Sequence, residues 1–152
     1  EGLQGDLGDE GIAACLKHFV GDGGTSEGIE QGDTRVSEAE LRRIHLAPYP
    51  PALAAGALTV MASFNSWNGD KCHGHRYLVT DVLKGELGFE GLVISDWDGI
   101  DYLDDDYSQC VARGLNAGID LFMVSENWRT FLKTAEQQVR EESLYKCCSS
   151  LQ

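Results

Sequence analysis

A carboxylate stands where an aliphatic strand stops: Leu92-Val93-Ile94 runs directly into Ser95-Asp96-Trp97-Asp98. A continuous apolar run reads as a strand covered on both faces, as in parallel sheets, and core packing gives no reason for an aspartate at its end. Barrel enzymes keep their chemistry at that end of the strand. Asp96 is therefore the candidate catalytic carboxylate, with one competing role: an aspartate in a strand-to-helix loop also serves well as a helix cap.

Three further segments share this layout. Ala13-Ala14-Cys15-Leu16 ends in Lys17-His18-Phe19-Val20-Gly21-Asp22-Gly23-Gly24, and Leu58-Thr59-Val60-Met61-Ala62-Ser63-Phe64 runs into Asn65-Ser66-Trp67-Asn68-Gly69. Asp120-Leu121-Phe122-Met123-Val124 runs into Ser125-Glu126-Asn127-Trp128. In each, polar residues gather where an apolar strand ends.

The elements that must position these groups alternate with them. Ser37-Glu38-Ala39-Glu40 has the form of a capping box and predicts a helix through about Leu46. Pro48, Pro50 and Pro51 interrupt it, and a short helix is expected from about Pro51 to Gly56. Further helices are expected over 77–87, ended by Gly88, and over 109–117, ended by Gly118. Trp128, Phe131, Leu132, Ala135 and Val139 fall on one face of another. Strand and helix repeated in this way argue for right-handed crossovers and a parallel sheet with helices outside it.

Length limits the architecture. A complete eight-stranded barrel takes roughly 250 residues, whereas this chain has 152. The pattern yields about four strand-helix units, so the expected fold is α/β, a partial (β/α)8 TIM-type barrel. A doubly wound nucleotide-binding sheet is disfavoured, because Gly21-Asp22-Gly23-Gly24 is neither G-x-G-x-x-G nor a phosphate loop.

Four motifs carry a family resemblance. They are Lys17-His18-Phe19-Val20-Gly21-Asp22-Gly23-Gly24-Thr25, Val60-Met61-Ala62-Ser63-Phe64-Asn65-Ser66-Trp67-Asn68-Gly69, Leu83-Lys84-Gly85-Glu86-Leu87-Gly88-Phe89-Glu90-Gly91, and Ser95-Asp96-Trp97. In this order and spacing the chain resembles the later part of the N-terminal barrel of glycoside hydrolase family 3, the β-glucosidases and exo-β-glucanases. The resemblance covers about Gly2 to Phe131 and implies that 1–140 is the second half of that barrel.

The resemblance implies roles for individual residues. Asp96 matches the nucleophile of a retaining glycosidase, which attacks the anomeric carbon and forms a covalent glycosyl-enzyme that water opens. Lys17 and His18 match a pair that hydrogen-bonds hydroxyls of the terminal sugar; otherwise they are a strand-end ion pair. Trp97 matches an aromatic flanking the bound glucan, where a flat π-face packs on a sugar ring, against the alternative of a core tryptophan. Met61 matches a residue of the pocket wall, or else ordinary core.

Departures accompany the matches. Phe64 stands where some relatives carry a tyrosine whose hydroxyl helps place the nucleophile, and Gln31 where plant relatives have an acidic residue beside the sugar. Val20 and Asp22 replace the proline and histidine of the β-N-acetylglucosaminidase branch, which disfavours that branch. In the glucosidase branch the acid/base is a glutamate on a following α/β domain. The partners implied are thus a β-glucan or β-glucoside substrate, the other barrel half and that C-terminal domain, with no cofactor. The chain alone is expected to be inactive. A non-catalytic carbohydrate-binding or interaction module built on the same barrel is the alternative. Location, by family analogy, is secreted, periplasmic or cell-wall associated.

Composition is that of a globular domain, with 42% hydrophobic and 24% charged residues. No apolar run approaches the ~20 residues of a membrane helix. A net charge of −13 repels phosphate backbones, so nucleic acid is an improbable partner. Cys15, Cys72, Cys110, Cys147 and Cys148 make an odd count with no C-x-x-C pair, which does not fit a closed disulfide framework. Cys72, His73 and His75 are close in sequence but lack a second ligand pair for zinc, so no metal is expected. Asp101, Asp104, Asp105 and Asp106 read as a solvated acidic loop, without the glycine and terminal glutamate of an EF-hand. Residues 141–152 read as a divergent tail.

Overall fold

A computed structural model describes residues 11–140. Its centre is a parallel sheet of three strands, β1 (Cys15–Phe19), β3 (Thr59–Ala62) and β6 (Leu92–Ile94), in the order β1-β3-β6. Leu16 pairs with Val60 and Val60 with Val93, so the three lie in one row across the sheet. Side chains alternate along a strand, and this row faces the helices: Val60 and Val93 are buried with Leu78, Val79, Val82, Leu83, Ile100 and Val111 in one continuous core.

The opposite face is not covered. Leu92 is 50% exposed, Leu121 is exposed as well, and Met61 and Ile94 are only half-buried. The run Leu92-Val93-Ile94 is thus covered on one side, which corrects the expectation of two-sided burial. An apolar run is indifferent to which of its faces has a neighbour; among the described residues only the helix side has one.

The predicted strand at 120–124 also needs correction. It contributes a single parallel bridge, Ile94 with Leu121, rather than a strand. Side chains take the places of ladder partners there. The Asp120 carboxylate accepts the Val93 N–H (2.8 Å) and both oxygens of the Lys84 ion pair lie 2.8 Å from Nζ. Ser95 Oγ accepts the Met123 N–H at 2.8 Å. Four main-chain bonds still hold the segment beside β6: the Asp120 and Leu121 N–H groups both donate to the Val93 carbonyl, Ser95 N–H donates to Leu121, and Asp98 N–H donates to Met123.

The helices follow their end signals. Ser37 and Glu40 form the expected capping box, which opens α1 (Glu38–Glu40); the turns then widen into a π-helix, Leu41–Leu46, that buries Leu41 and Leu46. α2 (Tyr49–Ala54) begins two residues before Pro51, with prolines in its first turn as their fixed φ favours. A second π-helix spans Tyr77–Glu86. Arg42 clamps it to α1, donating to Glu38 (2.8 Å) and to both oxygens of Glu86 (2.7 and 2.9 Å). α3 (Tyr107–Ala117) starts at an Asp106 cap, whose carboxylate accepts the Ser108 N–H, and ends at Gly118 in the left-handed region that glycine permits. α4 is Trp128–Arg140. The predicted tail, 141–152, lies outside the described residues.

A second, small sheet had no sequence signal. β2 (Asp33–Thr34), β4 (Ser66–Trp67) and β5 (Asp70–Lys71) join in the order β2-β4-β5 within the loops after β1 and β3. Two-residue strands are too short to show a period. The Asn65 amide, fully buried, ties this sheet to β1 by donating to the Val20 carbonyl and to Thr34 Oγ1. None of the helices among the described residues is long and apolar enough to cross a membrane.

Candidate active site

The carboxyl ends of β1, β3 and β6 lie side by side, and the loops beyond them bring the candidate residues together. The ladder ends at Met61 and Ile94, and Asp96 follows two residues past the last paired position. Its Oδ1 accepts the N–H of Trp97 at 2.7 Å, and Oδ2 lies 3.3 Å from Nε2 of His18. The carboxylate caps no helix: the short 3-10 turn Gly99–Tyr102 begins after Asp98, which supplies no side-chain cap. Asp98 instead clasps the next strand-end loop, accepting the Ser125 N–H (2.8 Å) and Oγ–H (2.6 Å).

His18 stands between two carboxylates. Nδ1 lies 3.0 Å from Oδ2 of Asp22, four residues on, and Nε2 faces Asp96. The register of β1 shifts between Leu16 and Phe19, and the Lys17–His18 and Phe19–Val20 peptide bonds are cis. Lys17 is exposed and, among the described residues, has no hydrogen bond or ion pair from its ammonium group. Trp97 is 61% exposed, so it is no core tryptophan. Met61 sits on the uncovered face of β3, half-buried, on the same row as Ile94. The five candidates thus fall into a close pair, Asp96 with His18, and three side chains at the open rim or face around it.

Cys72, His73 and His75 go to separate partners. The Cys72 thiol donates to Val20 and Asn65, and burial pushes it up to about 12. His75 stacks on Trp67 with ring centroids 5.5 Å apart. His73 points the other way: its Nε2 accepts the N–H of Asp96 at 2.8 Å. Burial disfavours the imidazolium and lowers its pKa to about 4. Sequence reasoning missed this contact, which spans 23 positions and follows no motif spacing. Phe64 packs its ring 5.4 Å from that of His73 and 5.7 Å from that of Tyr102.

A parallel α/β sheet with an aspartate, a histidine and an exposed tryptophan gathered at its carboxyl edge has the layout of a barrel-type enzyme domain. Residues 1–146 match the family described as glycosyl hydrolase family 3 N terminal domain, and the chain belongs to that family. It is 34% identical over 135 residues to a beta-xylosidase of Formosa agariphila, covering 82% of this chain and 19% of that protein. Crystal structures agree. An exo-1,3/1,4-beta-glucanase (ExoP) of a Pseudoalteromonas species, in its Q683A form, superposes with a TM-score of 0.88 at 43% identity, covering 95% of this chain and 24% of the other. A beta-glucosidase of Listeria innocua in complex with glucose does so with a TM-score of 0.87 at 30% identity, covering 95% and 21%. The chain therefore spans about a quarter or less of the length of these relatives.

Proposed function

We propose that this chain is the nucleophile-bearing portion of a retaining β-glucosidase or exo-β-glucanase, the second half of a (β/α)8 barrel spanning 1–140, with 141–152 outside it. The observation that carries the reading is the meeting of Asp96 Oδ2 and His18 Nε2 at 3.3 Å, two groups from strand ends that β3 separates in the sheet. Asp96 attacks the anomeric carbon of a β-glucoside; a covalent glycosyl ester forms as the bond to the leaving oxygen breaks, and water later opens it. Its negative charge also favours the oxocarbenium-like transition state. His18, held through Nδ1 by Asp22, and the exposed Lys17 ammonium bind hydroxyls of the sugar. Trp97 offers an exposed π-face to the sugar ring beside the cleavage point, and Met61 forms part of the pocket wall.

The acid/base comes from elsewhere in a longer parent protein, so the chain alone turns over poorly or not at all. A substrate with an activated leaving group removes most of that need. Incubation with a 2-deoxy-2-fluoro β-glucoside of this kind should add one sugar, by intact mass, to wild type and none to Asp96→Asn. A sugar mapped to any other residue, or no addition to the folded wild type, overturns the assignment of Asp96. Hydrolysis of an ordinary aryl β-glucoside well above background, abolished in Asp96→Asn, overturns the expectation of inactivity. The alternative, a carbohydrate-binding module without turnover, draws on the exposure of Trp97; it predicts glucan binding that Asp96→Asn leaves intact and no covalent addition.

A further inference from the structure

Between the ends of β3 and β6 stands a buried imidazole that this function leaves unused. The ladder pairs Met61 with Ile94, and two residues further the same register would set Ser63 beside Asp96. No pair forms there. His73, 1% exposed, occupies the gap: Nε2 accepts the Asp96 N–H at 2.8 Å, and the ring also hydrogen-bonds the main chain of Ser63. One imidazole thus replaces a rung of the sheet just where the strand hands over to the candidate nucleophile.

We propose that His73 is a positioning residue for Asp96: as the neutral, Nδ1-protonated tautomer it fixes the main chain of Asp96 against β3 and so aims the carboxylate. The aiming rests on the reading of Asp96 as nucleophile; the hold on the main chain does not. The tautomer follows from the partners. An N–H from Asp96 requires a lone pair on Nε2, and a neutral imidazole then carries its one proton on Nδ1. The carboxylate in turn is locked to the same main chain, because Oδ1 accepts the Trp97 N–H at 2.7 Å. Whatever fixes the backbone at 96 and 97 therefore fixes the carboxylate.

The surroundings hold the ring in place. A Cβ on Gly99 would collide with His73 Nε2, so only glycine allows the chain after Asp98 to pass this close. The loop carrying His73 is pinned at its start by the Cys72 N–H, which donates to the Asn65 carbonyl (3.1 Å), and by the Cys72 thiol on the Val20 carbonyl (3.5 Å). The charged and titratable groups that act on the imidazole are Asp96, Lys71 and His18, and burial outweighs them in favour of the neutral form.

The test uses the full chain labelled with nitrogen-15. Long-range proton–nitrogen spectra at neutral pH should show Nε2 unprotonated and Nδ1 protonated, with a scalar coupling from Nε2 to the Asp96 amide. His73→Phe, which fills the space without an acceptor, should speed hydrogen exchange of the Asp96 amide by roughly 10-fold or more relative to that of Val93. His73→Gln, with an amide oxygen as acceptor, should restore part of the protection. In the trapping reaction His73→Phe should lower the rate constant at saturation by roughly 10- to 100-fold with little change in half-saturating concentration, and His73→Gln should recover part of it. A proton on Nε2 in wild type, or unchanged exchange at Asp96 in a folded His73→Phe chain, overturns the proposal. Should His73→Phe not fold, the wild-type tautomer and coupling decide. If the coupling is present and wild type is not trapped, the hold on the main chain stands and the nucleophile reading fails.

Discussion

The two faces of the sheet carry similar residues and meet different fates. On the helix side Val60 and Val93 are fully enclosed; on the other side Leu92, the next residue in the same strand, is half exposed and Leu121 beside the sheet is exposed too. Hydrophobic burial scales with area removed from water, so the helix side supplies nearly all of the sheet's apolar stabilisation. The open side carries the candidate chemistry instead, at the rim where Asp96 and His18 meet. Stability and function are thus separated by side-chain parity: one residue's shift along β6 moves a substitution from one to the other.

Paired substitutions can break this comparison. Leu83→Ala, at a fully buried site on the helix side, should cost about 2–5 kcal/mol in urea unfolding. Leu92→Ala should cost under about 1 kcal/mol, since much of that side chain is already in water. Equal costs would mean that the open face is covered in solution. Acid should weaken the rim next. His73 has a folded pKa of about 4 against 6.5 for the free group, so the unfolded chain binds the extra proton between those values. Its contribution, roughly 3 kcal/mol by linkage, is complete above pH 6.5 and lost as pH falls toward 4. His73→Phe should flatten that part of the stability profile. Gly99→Ala should cost about 1–3 kcal/mol by driving a methyl against the His73 ring, and should also move the Asp96 amide resonance. Smallest, Ser37→Ala, whose side chain bonds only Glu40 among the described residues, should cost about 1 kcal/mol through the lost cap and leave that resonance where it was.

Much of this was legible in the sequence, and the exceptions have a common cause. The strand end at Asp96, the Ser37 box and the glycine stops at Gly88 and Gly118 are local signals, written within a few residues and obeyed by the fold. Family motifs further placed Asp96 and His18, though not the distance between them. What could not be read depends on neighbours remote in sequence. The small sheet of β2, β4 and β5 forms because Asn65 and Lys71 bond across loops; Lys71 donates to the carbonyls of Gln31 and Phe64. The 120–124 segment lost its ladder to the side chains of Asp120 and Ser95. His73, set aside in the sequence because no second ligand pair accompanies it, accepts the Asp96 N–H across 23 positions. Periodicity reports which residues want cover, and it carries no account of which cover arrives.

The contact between Gly99 and His73 makes the two positions mutually dependent in how they can change. A side chain at 99 is barred while an imidazole stands at 73, and a smaller group at 73 would leave a hole that a methyl at 99 could enter. Neither first step is free, so exchange at this pair must pass through a weakened intermediate or occur at both positions together. A drifting lineage can therefore vary exposed Leu92 in a single step, whereas a change at either member of this pair carries a cost until the other follows.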